Sequence, residues 1–291
     1  MEMAANDCCR ATDIACPMPR PGTRCTRLLA HYQPRAQRIA SRSCELLAGC
    51  HMLGSGDQLM SSRFVVRDFL DESECAETVR RIIRLQDRWT SRSKFGDSFT
   101  LGTAAYLDAT ESRDTYLAAA AQTNPDMSEV FGDLYSGLSG FLEFVLEEPV
   151  SYDERLAMPG FHIFAYDGSV LVDDNIGERA HFDMQFRQIV AGPAPDATLS
   201  FTLPLQQPSG GSGLAVWPLD YGDAVRGEVP PRSWAAQNPW TLVKYETGRI
   251  VLHDGLILHA LVRSSSRTPK GLRITLQGHG VRHDGQWTLY W

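Results

Sequence analysis

His181, Phe182 and Asp183 put an imidazole and a carboxylate two residues apart. Side chains alternate along an extended chain, so His181 and Asp183 would share one side while Phe182 takes the other. Such a pair supplies two ligands to a metal ion, and a third histidine would complete a 2-His-1-carboxylate set. That set leaves open positions on an octahedral metal and suits non-haem Fe(II) that activates oxygen. Any chain with eight histidines can carry one His-x-Asp by chance, so the weight falls on the residues further along the chain.

His253, His259, His279 and His283 are the candidates for the third ligand. Residues 256–262 read as a strand in which His259 shares a face with Ile257 and Leu261, so a polar ring would point into an apolar interior. His259 is therefore the expected ligand. His253 beside the Asp254-Gly255 turn is expected to be a half-exposed strand end, and His279 and His283 are expected in a Gly-rich terminal loop. Further on, Leu272, Ile274 and Leu276 fill one strand face and leave Arg273, Thr275 and Gln277 on the other. On periodicity alone a polar strand face is more often solvated. Arg273 with a hydroxyl two residues on is nevertheless what a carboxylate-binding wall needs, because guanidinium offers a bidentate fork and the hydroxyl a further donor.

These residues need elements to hold them. Phe64 to Phe69 reads as a short strand, followed by a capping box with Asp71 as N-cap and Glu74 three residues later. Cys75, Val79, Ile82, Ile83 and Trp89 mark one face of the helix it opens. A second helix is predicted from Asn124 as cap and Pro125 at the first helical position to about Glu148. After Pro149 the pattern changes to period 2. Short apolar runs recur at 161–166, 181–190, 199–205, 214–217, 241–245, 249–253, 256–262, 272–278 and 287–291, separated by Gly, Pro, Asp and Ser. Many short strands after two helices predict a mostly β protein, an antiparallel sandwich or barrel with flanking helices.

Composition sets outer bounds. The chain has 291 residues, 43% hydrophobic and 22% charged, enough for one large domain or two small ones. A net charge of −7 gives no reason to expect nucleic acid or an anionic membrane as partner, and no apolar window is long enough for a transmembrane helix. Six of the seven cysteines lie in the first fifty residues, in no zinc-type spacing and with an odd total, which predicts a reducing, cytoplasmic setting. Residues 1–60 carry seven Arg, no Lys and no sustained apolar period. They are expected to form a poorly ordered N-terminal extension before a single domain over 61–291.

In this order and spacing, His181-Phe182-Asp183, Gly248-Arg249-Ile250-Val251-Leu252 leading to His259, and Arg273-Ile274-Thr275 fourteen residues beyond it resemble the Fe(II)- and 2-oxoglutarate-dependent dioxygenases. The likeness is to the prolyl-4-hydroxylase-like branch. Val66-Arg67-Asp68-Phe69-Leu70 with Glu74-Cys75 also resembles that family's N-terminal strand and helix. The resemblance implies a double-stranded β-helix, or jelly roll, with Fe(II) held by His181, Asp183 and His259. It implies that Arg273 and Thr275 grip the distal carboxylate of 2-oxoglutarate, with O2 as oxidant and ascorbate as a supporting reductant; Tyr166, on the strand before the motif, is a weaker candidate for a co-substrate hydrogen bond, against the commoner packing role of a strand tyrosine. Halogenating relatives lack the carboxylate ligand, so Asp183 implies hydroxylation or a related oxidation, with release of succinate and CO2.

Three weaker candidates face the substrate. Gln185 continues the face of His181 and Asp183, Arg187 lies two residues further along, and Trp217 follows the Gly-rich turn. The expected substrate is a small molecule, an amino acid or natural-product intermediate, because the chain has neither an added peptide-binding module nor a basic surface. The alternatives are a peptide side-chain hydroxylase of prolyl type and a non-catalytic jelly-roll binding protein. The oligomeric state is not legible.

Overall fold

The computed structural model describes residues 63–92, 97–109, 112–170 and 175–291, and the extension expected over 1–60 lies outside them. In chain order the elements are β1 (Phe64–Asp68), α1 (Glu72–Arg84), β2 (Thr90–Ser91), β3 (Ser98–Leu101), α2 (Ala105–Asp108) and α3 (Arg113–Leu146). There follow β4 (Val150–Tyr152), β5 (Gly160–Asp167), α4 (Phe186–Ile189), β6 (Ala197–Gln206), β7 (Gly213–Asp220), α5 (Tyr221–Arg226) and α6 (Pro231–Ala235). The chain closes with β8 (Thr241–Lys244), β9 (Arg249–His253), β10 (Ile257–Val262), β11 (Lys270–His283) and β12 (Gln286–Tyr290).

The large sheet has nine strands with β5, β11, β6 and β9 side by side at its centre, and the small sheet has the order β10-β7-β8. His181 joins the edge of the small sheet as an isolated antiparallel bridge to His259. From β5 onward the chain alternates between the two layers: β5 in the large sheet, His181 in the small, β6 large, β7 and β8 small, β9 large, β10 small, β11 large. That winding is a double-stranded β-helix, the mostly β jelly roll with flanking helices that the strand pattern predicted.

Both faces of the large sheet are covered. Ile82 of α1 and Phe131, Leu134 and Leu138 of α3 pack against Phe161, Ile163, Ile274 and Leu276 in one core. Each such side chain contributes about 1.5–3 kcal/mol of transfer free energy. On the other face, Leu214, Val216, Tyr245, Val251 and Ile257 join the two sheets. The alternate residues of β11 are thus sealed between layers, so Arg273 and Thr275 are both 0% exposed rather than solvated.

Three local expectations need correction. The second helix does not start at Pro125: α3 begins twelve residues earlier behind Ser112, whose hydroxyl accepts from the Thr115 amide, and runs through the proline. Asn124 is no cap, because its amide group bonds the Leu156 carbonyl and the Met158 amide and ties α3 to the chain entering β5. Residues 181–190 do not form a strand, since the chain turns into α4 after Asp183. Ile83, placed by period on the buried face of α1, is 43% exposed. The capping box itself is present: Asp71 accepts from the Glu74 amide and Glu74 from the Asp71 amide.

Candidate metal centre

Backbone pairing positions the His-x-Asp segment. The amides of His181 and His259 each donate to the other's carbonyl, at 2.9 and 3.1 Å, and the Asp183 amide donates to the Gly255 carbonyl at 2.8 Å. His181 and Asp183 therefore hang along the edge of β10 with both side chains toward His259. The ligating atoms of His181, Asp183 and His259 all lie within 4.8 Å of one another. Nε2 of His181 is 3.6 Å from Oδ1 of Asp183, and Nε2 of His259 is 3.4 Å from Oδ2.

The protonation of this trio follows from its neighbours. Nδ1 of His181 lies 2.8 Å from the Arg179 carbonyl, and Nδ1 of His259 lies 2.8 Å from the Ile257 carbonyl. A carbonyl can only accept, so both rings carry their proton on Nδ1 and present an Nε2 lone pair to the centre. Burial by itself would raise the Asp183 carboxyl, but His259, His279 and His181 around it prevail and hold it well below the usual carboxylate range. Burial by itself would lower His259, and the adjacent Asp183 carboxylate reverses that direction. Ser200 donates to Oδ2 of Asp183 at 2.7 Å and Gln185 donates to Oδ1 at 3.2 Å. Two imidazoles with Nε2 turned toward an oriented carboxylate fit a divalent first-row metal with open positions, the metal taking the place of any proton on Nε2.

The trio borders a cavity of about 470 Å³ between the sheets. At its far end lies Arg273, whose Nε donates to Ser212 at 3.2 Å and whose guanidinium sits over the rings of Phe164 and Tyr245 at 5.3 and 5.8 Å. Nη1 and Nη2 of Arg273 and Oγ1 of Thr275 are buried with no hydrogen-bond partner among the described residues. Burying a cation without an anion is costly, and burial does depress the Arg273 guanidinium. A carboxylate entering the cavity would satisfy fork and hydroxyl together. With a metal at one end and a carboxylate grip at the other, the residues present fit Fe(II) and 2-oxoglutarate.

The remaining expected residues fall in different places. Gln185 borders the cavity and touches Asp183. Tyr166 does not border it; its hydroxyl donates to the Arg263 carbonyl at 3.3 Å. Arg187 lies over the Tyr221 ring and donates to its hydroxyl, outside the cavity. Trp217 is fully buried in the core behind β10, with its indole N–H on the carbonyls of Ala235 and Asn238.

His253 and His279 differ from their expected settings. His253 is 7% exposed, packs edge-on against His259 at 4.8 Å, and accepts the Gly255 amide on Nδ1. His279 belongs to β11 rather than a loop, and its Nδ1 lies 3.0 Å from Ser200. Both border the cavity. His279 was findable, because it extends the series 273, 275, 277 by one more step of two. Ser200 carried no signal, since a lone serine in a strand is ordinary.

No protein-family model matches the chain, and no curated protein sequence matches it. Among solved structures, the N-substituted L-amino acid dioxygenase of Burkholderia ambifaria AMMD in complex with alpha-KG is similar, with 15% identity over 79% of this chain and 86% of that one, TM-score 0.42. HygX from Streptomyces hygroscopicus, with nickel and 2-oxoglutarate bound, gives 16% identity over 79% and 88%, TM-score 0.41. The non-heme alpha ketoglutarate dependent carbocyclase SnoK from nogalamycin biosynthesis gives 12% over 82% and 97%, TM-score 0.46. At such scores the likeness adds no weight to the site geometry. Fold and site together define a double-stranded β-helix with a 2-His-1-carboxylate centre at one end of its inter-sheet cavity.

Proposed function

We propose that this protein is an Fe(II)- and 2-oxoglutarate-dependent dioxygenase that hydroxylates an unactivated C–H bond of a small molecule, an amino acid or natural-product intermediate, with release of succinate and CO2. One observation carries the reading: a buried guanidinium with two unpartnered nitrogens shares a cavity with a converging His-Asp-His set. Bound there, iron and 2-oxoglutarate supply the oxygen-activating chemistry. The chain binds, orients and excludes water. His181, Asp183 and His259 would hold the metal, and Ser200 keeps the carboxylate aimed. Arg273 and Thr275 would hold the distal carboxylate of the co-substrate. Gln185 and His181 border the cavity beside the proposed metal position, where the substrate and O2 would arrive.

A cavity of about 470 Å³ is of the size that takes a small ligand, which supports a small-molecule substrate over a peptide. The prolyl-4-hydroxylase-like branch is the form of the family proposed, on the Gly248–Leu252 run that leads into β10 and His259. A cytoplasmic setting is proposed on the odd, tail-crowded cysteine pattern of the sequence alone; Cys75 is buried, and burial among acidic neighbours pushes its thiol up to about 12. No helix among the described residues is long and apolar enough to cross a membrane.

The test is to supply Fe(II), ascorbate and 2-oxoglutarate and to measure succinate. His181→Ala and Asp183→Ala should abolish it while leaving the fold intact, and unchanged turnover in both would overturn the reading. Stoichiometric Fe(II) uptake separates this function from a metal-free jelly-roll binding protein.

A further inference from the structure

Beside the carboxylate grip stands a polar side chain that the proposed chemistry has not used. His162 of β5 is the register partner of Thr275 in β11 and of Thr100 in β3. Directly opposed residues on antiparallel strands point to one face with Cβ atoms about 4.5–5.5 Å apart. His162 borders the cavity, and register places it next to Thr275, whose side chain is fully buried behind that wall. It is 8% exposed, and its Nδ1 has no hydrogen-bond partner among the described residues. The ring packs against Tyr106 and Phe164 at 5.6 and 5.9 Å and edge-on to Trp291 at 5.3 Å. Its orientation is thus set by packing, which leaves the nitrogen available.

Three neighbouring positions hold four buried polar atoms without protein partners: Nη1 and Nη2 of Arg273, Oγ1 of Thr275 and Nδ1 of His162. A carboxylate carries two oxygens with about four acceptor sites. A guanidinium fork takes two, and a hydroxyl and one imidazole N–H take the rest. The charge also balances, because Arg273 already supplies the single cation. Burial, and then the Arg273 charge, push His162 down to about 3, so it stays a neutral donor.

We propose that His162 is the third donor to the distal carboxylate of the co-substrate, giving its Nδ1–H to the group that Arg273 and Thr275 hold. The proposal rests on the 2-oxoglutarate reading above. It puts on His162 the β5 contact that the sequence placed on Tyr166.

The anaerobic Fe(II) protein is titrated with 2-oxoglutarate, following the metal-to-ligand charge-transfer absorption, as wild type, His162→Phe and His162→Asn. Phenylalanine keeps the ring packing and loses the N–H, whereas asparagine keeps an N–H near the place of Nδ1. The His162→Phe protein should bind Fe(II) as wild type does and bind 2-oxoglutarate roughly tenfold to hundredfold more weakly. The asparagine variant should recover most of that loss. Pyruvate, a 2-oxo acid without the distal carboxylate, should bind all three proteins alike. Melting curves of the metal-free proteins establish that each variant is folded. Unchanged 2-oxoglutarate affinity in His162→Phe overturns the proposal, as does equal weakening in both variants or a parallel loss for pyruvate. Wild-type protein that takes up Fe(II) but shows no such absorption would instead overturn the 2-oxoglutarate reading itself.

Discussion

Ser200 donates its hydroxyl to Oδ2 of Asp183 at 2.7 Å while standing in a cross-strand row between His253 and His279. Its one proton is committed to the carboxylate, so the contact with His279 must run from the imidazole Nδ1–H to the serine oxygen at 3.0 Å. A chain of two hydrogen bonds from β11 through β6 therefore holds the Asp183 carboxylate of the proposed centre in place.

Ser200→Ala removes that restraint and leaves Nδ1 of His279 without its acceptor. Outer partners of metal ligands typically affect metal affinity by about 10–100-fold. Fe(II) titration of the variant should show a loss in this range with the fold retained. Wild-type affinity would mean that the Gln185 contact and the backbone suffice to aim Asp183.

Gly255 tests the same carboxylate from the backbone side. It sits at φ +73°, and an added Cβ would lie 2.7 Å from the Ser200 hydroxyl and 3.1 Å from Cβ of Asp183. Gly255→Ala combines left-handed strain with a clash, so a stability loss of about 1–3 kcal/mol is expected, together with weaker Fe(II) binding. Denaturant melts and metal titration read the two effects separately. A variant as stable as wild type would show that the turn can relax.

Arg273→Lys keeps the charge but not the fork. A compact ammonium cannot reproduce planar, bidentate recognition of a carboxylate, so the affinity for 2-oxoglutarate should fall by roughly tenfold or more while Fe(II) binding is unaffected. Equal affinity for 2-oxoglutarate would place its carboxylate elsewhere in the cavity.

The pH dependence of the metal-free fold gives a further check on His162. The unfolded chain protonates this ring near the ordinary value of 6.5, whereas the buried ring titrates at about 3. Between those values the unfolded state binds more protons. The stability this group contributes is complete above pH 6.5, declines as the pH falls, and is gone below about 3. Replacing His162 by Phe should flatten stability against pH in that window by at most about 1.4 kcal/mol per pH unit. An unchanged slope, measured by urea melts across mildly acidic pH, would show that the ring takes up its proton in the folded state.

Local chemistry was enough to specify much of this protein. Period 2 after Pro149 marked the strands, because alternation is a property of each strand by itself. The capping box at Asp71 and Glu74 depends only on residues three apart, and the His181-x-Asp183 spacing and the polar series from Arg273 are likewise short-range. Tertiary structure decided the rest. Arg273 and Thr275 belong to a sealed wall rather than a solvated face only because α1 and α3 cover one side of the large sheet and the small sheet covers the other. Asn124 looked like a cap until the Leu156 and Met158 backbone claimed its side chain. His253, Ser200 and His279 form one row only because β9, β6 and β11 pair in that register, and His162 stands beside Thr275 by the pairing of strands more than a hundred residues apart. Those neighbours are fixed by which sheets stack on which, a long-range property that no window of sequence contains.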